Sequence, residues 1–312
     1  MLSYRRPMGS RTENIFVREW IESLPHWDRD REDNIHVWVD RASREPFTTG
    51  SKVIWSCHTD TVHREGGKQR VHVGARRMHL EAGQTSNCLG ADDTVGIWLM
   101  REMILAGTPG HYVFHFGEER GGIGSSAVVR NNPELFEGAR AVIALDRRGT
   151  RDIITHQSYG RCCSDAFARS LAKLLRPAAR YRLSDRGIYT DSAEYVDIIE
   201  ECTNISVGYQ HEHTPFEYVD YWHALRLCNV LCAFDESRLV FERDPWDNAW
   251  DDDDGRWKYD QRLWDRVIDT SDRAENAYDK AAHFYAMYSS KPKFEDLDDD
   301  DKQAIRDMWG VK

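Results

Sequence analysis

The 312-residue chain has 30% charged and 40% hydrophobic residues and a formal net charge of −11. Its length allows one large domain with a substantial core. The acidity excludes nucleic acid and anionic membrane as main partners, because either calls for clustered Lys and Arg.

Taken in chain order, residues 11–24 (RTENIFVREWIESL) place Ile15, Phe16, Trp20, Ile21 and Leu24 at helical spacing. Apolar or alternating runs recur at 34–39, 52–57, 70–73, 111–116, 141–145 and 204–209, with helical segments at about 93–106, 164–176 and 218–235. This alternation predicts an α/β fold, a mixed, largely parallel central sheet sandwiched by helices, with ligands gathered beyond the carboxyl ends of the strands. The composition changes near residue 241. Residues 241–312 hold 20 Asp and Glu against 12 Lys and Arg, a net of −8, so most of the acidity lies there. The expected division is a catalytic domain over 1–240 and an acidic, mainly helical C-terminal extension over 241–312. Trp250, Trp257 and Trp264 repeat every seven residues, one stripe of a helix that would dock on the domain or join copies of the chain.

The seven cysteines (57, 88, 162, 163, 202, 228 and 232) are odd in number and contain no C-x-x-C pair, which argues against a disulfide framework and a thiolate zinc site. Reduced thiols imply a cytoplasmic setting. The first twenty residues lack an apolar leader core and no stretch approaches a membrane span, so a soluble, unprocessed protein is expected.

Metal-binding residue types gather at the ends of the predicted strands. KVIWSCHTDT ends on His58 and Asp60, two apart and on one face; NCLGADDTVG puts Asp92 and Asp93 before a helix. FHFGEER supplies Glu118 and Glu119, VIALDRRG supplies Asp146, and SVGYQHEHTPFE supplies His211 and His213. Each alone has a plain explanation, such as a helix N-cap for Asp92 or Asp93. Five such places in one α/β chain point to a shared site. Adjacent glutamates share it only where the strand ends and the following glycines let the backbone turn, and they need a cation or a proton between them.

A dinucleotide reading competes. GGIGSSA contains G-x-G-x-x-A, and Asp146 lies 24 residues beyond Gly122, as a ribose-binding acid would. Glu118 and Glu119 oppose it, since they stand where a pyrophosphate would arrive, and it leaves His58, Asp92 and His213 without a role.

In order and spacing, SCHTDT, GADDTVG, GEERGGIGS, ALD and HEHTPFE resemble the five motifs of the co-catalytic dizinc exopeptidases, the superfamily of zinc aminopeptidases and glutamate carboxypeptidase-like enzymes. The resemblance spans residues 52 to about 235. Only 67 residues separate Asp146 from His213, which leaves little room for a lid domain and suggests the compact branch. The resemblance implies that His58 and Asp146 hold one metal, Glu119 and His213 a second, and Asp92 bridges them. It further implies a cis peptide before Asp93, Asp60 behind His58 fixing its tautomer, and Glu118 free as the general base. Two divalent ions follow, zinc first and cobalt or manganese as alternatives.

The implied activity is hydrolysis of a peptide or small amide substrate by metal-activated water, with aminopeptidase leading. An N-acyl amino acid deacylase or a carboxypeptidase on the same site are alternatives; a non-catalytic binding protein and an NAD-linked oxidoreductase belong to other classes. Spacing alone does not choose between His211 and His213, which would point the same way on a continuing strand. His63 and His115 read as structural. Asp191 in GIYTDSAEY resembles the family's cleft-lining stretch and is a candidate for binding a substrate α-amino group.

Overall fold

The computed structural model of the protein describes residues 1–40, 50–157 and 160–245. The Trp250, Trp257 and Trp264 stripe, the helical character of the extension and any association through it fall outside the described residues.

Among the described residues the central sheet has eight strands. In chain order these are β1 (Trp27–Arg29), β2 (Ile35–Val39), β3 (Val53–His58), β4 (Gly110–His115), β5 (Ala141–Arg147), β6 (Asp152–Ile154), β7 (Arg182–Ser184) and β8 (Glu201–Ser206). They lie in the order β7-β6-β8-β5-β3-β4-β2-β1. The inner four, β8, β5, β3 and β4, run parallel. β2 and β1 add antiparallel on one edge, while β6 pairs antiparallel with β8 and parallel with β7 on the other. The mixed, largely parallel sheet expected from the sequence is present.

All of β3 is buried, as a parallel strand covered on both faces should be. Val53, Trp55 and Cys57 join the larger core with helices α1 (Arg11–Trp20), α2 (Ala91–Leu105), α4 (Asp165–Leu175) and α5 (Tyr221–Leu231). Ile54 faces the opposite way, toward Val128 of α3 (Ile123–Asn131), Phe136 and Tyr195. Among the described residues no helix is long and apolar enough to cross a membrane, and all seven cysteines are free thiols.

Several boundaries differ from the sequence reading. α1 ends at Trp20 rather than Leu24, because Pro25 bars the conformation a helix needs before it. Ile21 and Leu24 are nonetheless buried. α3 starts directly after Gly121 and Gly122, both at positive φ, so a segment that reads as a loop becomes a helix. Residues 218–220 form a strand, not the start of α5; Asp220 caps that helix by accepting the His223 amide at 3.1 Å.

The strand Val71–Val73 belongs to a separate four-stranded sheet with Arg77–Leu80, Tyr218–Asp220 and Tyr209–Gln210. There Tyr209–Gln210 and Tyr218–Asp220 pair antiparallel, so residues 211–217 form a hairpin loop. That loop carries His213 and Glu217.

Candidate metal centre

β3 ends on His58, whose ring is fully buried. Its Nδ1 stands 3.3 Å from Asp60 Oδ1, and its Nε2 lies 3.1 Å from Asp92 Oδ1 and 3.6 Å from Asp146 Oδ1. The neighbouring strand β5 delivers Asp146. Thr190 donates its hydroxyl to Asp146 Oδ2 at 2.7 Å, Asn204 pairs with the Asp146 backbone, and Tyr209 Oη lies 3.0 Å from Oδ1. These partners fix the carboxylate's direction.

Beyond β4 the chain makes a short 3-10 turn, Glu118–Arg120, between Gly117 (φ 72°) and Gly121 (φ 91°). These left-handed positions permit the reversal that two adjacent glutamates require. Glu119 Oε1 lies 3.1 Å from His213 Nε2, which is also 3.3 Å from Asp92 Oδ2. Glu118 donates its amide to Asp60 Oδ1 at 3.1 Å, while its Oε2 stays 4.0 Å from His58 Nε2.

His211 and His213 do not share a strand. Both sit in the hairpin loop at positive φ, 58° and 64°, where few non-glycine residues are found. His213 faces Glu119 and Asp92, whereas the His211 ring lies by Tyr218.

Asp92 and Asp93 divide two roles the sequence left open. Their backbones are non-helical inside the first turn of α2, and the peptide between them is cis. Asp93 turns inward and accepts the Gly96 amide at 2.9 Å, as a cap does, while Asp92 presents one oxygen to each histidine.

Two donor groups result, His58 with Asp92 and Asp146, and Asp92 with Glu119 and His213. They share Asp92. His58, Glu118 and Glu119 form a third, overlapping group.

The dinucleotide reading fails on the same loop. A Cβ on Gly122 would meet Tyr189 Oη at 1.7 Å, and one on Gly124 would meet Asn34 Oδ1 at 2.1 Å. These glycines make room for the protein's own side chains, so no cradle for a pyrophosphate is left at either position.

Solved structures with the same arrangement of elements identify the architecture. A Bacillus cereus aminopeptidase is 13% identical at a TM-score of 0.59, over 74% of this chain and 93% of its own. A Staphylococcus aureus tripeptidase gives 13% and 0.60 over 74% and 94%. A Pyrococcus horikoshii peptidase that can assemble into a tetrahedron or a large octahedral shell gives 13% and 0.51 over 73% and 94%. The chain shares the fold of these peptidases. No protein-family model matches the sequence, and no curated protein does.

Within this fold the donor chemistry fits divalent ions. The groups offer imidazole nitrogens and carboxylate oxygens with no thiolate, a set that suits zinc and admits cobalt or manganese. The electrostatics agree. Burial pushes Glu118, Asp93 and Asp191 well above the ordinary carboxylate range, Glu119 up to about 7 and Asp146 up to about 6, helped by the neighbouring acids. Against burial, Asp92 and Glu119 raise His213 to about 11, and Asp146, Asp60 and Asp92 hold His58 well above its usual value.

Without metal the surrounding carboxylates thus favour the protonated form of both imidazoles. Proton and metal compete for the same nitrogens, so metal affinity should fall as pH falls, and uptake at pH 7 should release protons. Titrating zinc into weakly buffered metal-free protein measures this directly; uptake without acidification would contradict it.

The sequence reading passed over several residues that shape the site. Arg6 is fully buried beneath it, donating to the Thr59 carbonyl at 2.9 Å and to the Thr94 hydroxyl at 2.8 Å. It thereby ties the end of β3 to α2, and no local pattern marks an arginine near the N-terminus for that task. Thr190 and Tyr209, both of which hold the Asp146 carboxylate, lie inside the motifs without a pattern that marks them. Glu217, the last residue of HTPFE, accepts backbone amides from residues 89–92. His63 and His115 are structural in place, bonded to Gln69 and the Cys88 carbonyl, and to Asn34 and Tyr195.

Proposed function

We propose that the protein is a metal-dependent aminopeptidase that hydrolyses the amino-terminal peptide bond of a peptide or small peptide-like substrate. The observation that carries this reading is the pair of donor groups joined at Asp92, with Glu118 beside them. His58 and Asp146 would hold one divalent ion, Glu119 and His213 the other, and Asp92 both. When bound, such ions polarise the scissile carbonyl and acidify a water. Glu118 takes the water's proton and passes it to the leaving amine. Its backbone amide on Asp60 anchors the turn that carries it, and Asp60 in turn orients the His58 ring.

Charge favours an aminopeptidase over a deacylase or carboxypeptidase. Asp60, Asp92, Asp93, Glu118, Glu119, Asp146 and Asp191 crowd one region, and the cation buried beneath them is Arg6. Even with His58 and His213 counted beside Arg6, acidic side chains outnumber basic ones here. The excess attracts a substrate ammonium and repels the free carboxylate that the alternative substrates must present near the scissile bond.

Asp191 is our candidate for receiving the α-amino group. Ser125 donates to its Oδ1 at 2.6 Å, while its buried Oδ2 has no hydrogen-bond partner. Asp191→Asn should raise KM for aminoacyl substrates roughly 10- to 100-fold, the scale of a hydrogen bond to a charged group, with a smaller change in kcat. An unchanged KM would remove Asp191 from that role.

A substrate panel of aminoacyl, carboxy-terminal and N-acyl amides, run with metal analysis of the same preparation, tests the whole reading. Aminoacyl hydrolysis with about two zinc per chain is expected; cleavage confined to N-acyl amino acids would replace it with the deacylase reading. Association of copies through residues 241–312 is part of the proposal, and comparing the native mass of the full chain with that of a chain ending at 245 addresses it.

A further inference from the structure

Glu217 is fully buried, and its two oxygens accept four consecutive backbone amides. Oε2 takes Leu89 and Gly90, each at 2.8 Å, and Oε1 takes Ala91 at 2.8 Å and Asp92 at 3.0 Å. Four N–H groups point at its two oxygens, and a carboxylate at the start of α2 also meets the positive end of the helix dipole. An ordinary helix cap accepts one amide, through a residue at the start of the helix itself. Here the cap comes from a different sheet, more than a hundred residues along the chain.

The last amide in this set belongs to Asp92, whose side chain reaches both histidines. The loop that supplies Glu217 also supplies His213, which lies on the other side of the same aspartate. Loop 211–217 therefore grips Asp92 twice, at its backbone through Glu217 and at its carboxylate through His213.

On the metal-dependent reading above, we propose that Glu217 is a positioning residue that fixes the direction of the Asp92 carboxylate and so couples the two metal positions. Asp92 divides its oxygens between the two donor groups, so a shift of its backbone disturbs both. His213 moves with the same loop.

Glu201 provides a matched comparison. It too is a fully buried glutamate capping a helix, accepting the Ser164 amide at 2.6 Å and hydroxyl at 2.8 Å and the amides of Glu242 and Arg243. It serves α4, whose residues take no part in either donor group.

The test is zinc affinity, measured by competition with a chelator, alongside the Tm of each metal-free protein. Glu217→Gln keeps the shape but turns an NH2 group toward amides that are themselves donors. It should lower zinc affinity about 10- to 100-fold, the usual effect of disturbing a group that orients a ligand, and weaken both ions together. Glu201→Gln should lower Tm and leave zinc affinity at the wild-type value. If Glu217→Gln behaves like Glu201→Gln, with Tm reduced and affinity intact, the positioning role is overturned. Should Glu217→Gln not fold, Glu217→Asp keeps the charge while withdrawing it by one methylene. Several-fold weaker zinc binding in that variant supports the role, and wild-type affinity overturns it. A wild-type chain that takes up no zinc overturns the metal reading itself, whereas a zinc-binding wild type matched by Glu217→Gln overturns the positioning role alone.

Discussion

Glu118→Gln is expected to reduce amide hydrolysis by about 10²- to 10⁴-fold, the contribution of a positioned general base, while the protein keeps its metal. The substitution is nearly isosteric. The Glu118 amide still reaches Asp60, so the turn holding Glu119 is preserved. What is lost is a basic oxygen placed 4.0 Å from His58 Nε2, close to the donor groups yet outside the two that share Asp92. Burial already pushes Glu118 well above the ordinary carboxylate range, as suits a group that must accept a proton near neutral pH. The decisive comparison is kcat and metal content on one sample. Activity retained with metal bound would transfer the base to another residue; activity and metal lost together would make Glu118 a ligand, as its place in the third donor group allows.

Asp92→Ala should abolish activity by a different route, through loss of both ions. Asp92 is the one residue common to the two principal donor groups, with Oδ1 3.1 Å from His58 and Oδ2 3.3 Å from His213. Removing it also takes from His58 and His213 the one carboxylate that both approach. His213→Ala, in contrast, removes a donor from one group and leaves His58, Asp92 and Asp146 intact. Metal analysis after dialysis should give near zero for Asp92→Ala and close to one ion per chain for His213→Ala. Equal stoichiometry in the two variants would show that Asp92 does not bridge.

Much of the sheet is legible in the sequence because its inner strands are buried on both faces and read as apolar runs ending in a polar residue. His58, Asp146 and the Glu118 and Glu119 pair follow directly from those endings. The two outermost strands on one flank, Asp152–Ile154 and Arg182–Ser184, are three residues long, too short for a period to register. The four-stranded sheet is hidden for a related reason, since its strands draw on residues 71–80 and 209–220, and only their pairing defines it. The division between Asp92 and Asp93 is invisible locally, because two neighbouring acids before a helix look alike until the fold turns one outward. Glu217 and Arg6 escape for the same cause. Their partners are backbone groups far away in sequence, and an accepting or donating main chain leaves no mark on side-chain pattern.

The candidate ligands span residues 58 to 213 and arise from five separate segments of the chain. No short stretch of the unfolded polypeptide can assemble them, so divalent ions should recognise the native state almost alone. Ion binding is then a reservoir of folding free energy, deepening by about 1.4 kcal/mol per bound ion for each tenfold rise in free metal above its dissociation constant. Resistance to unfolding becomes a property the protein shares with its ionic surroundings.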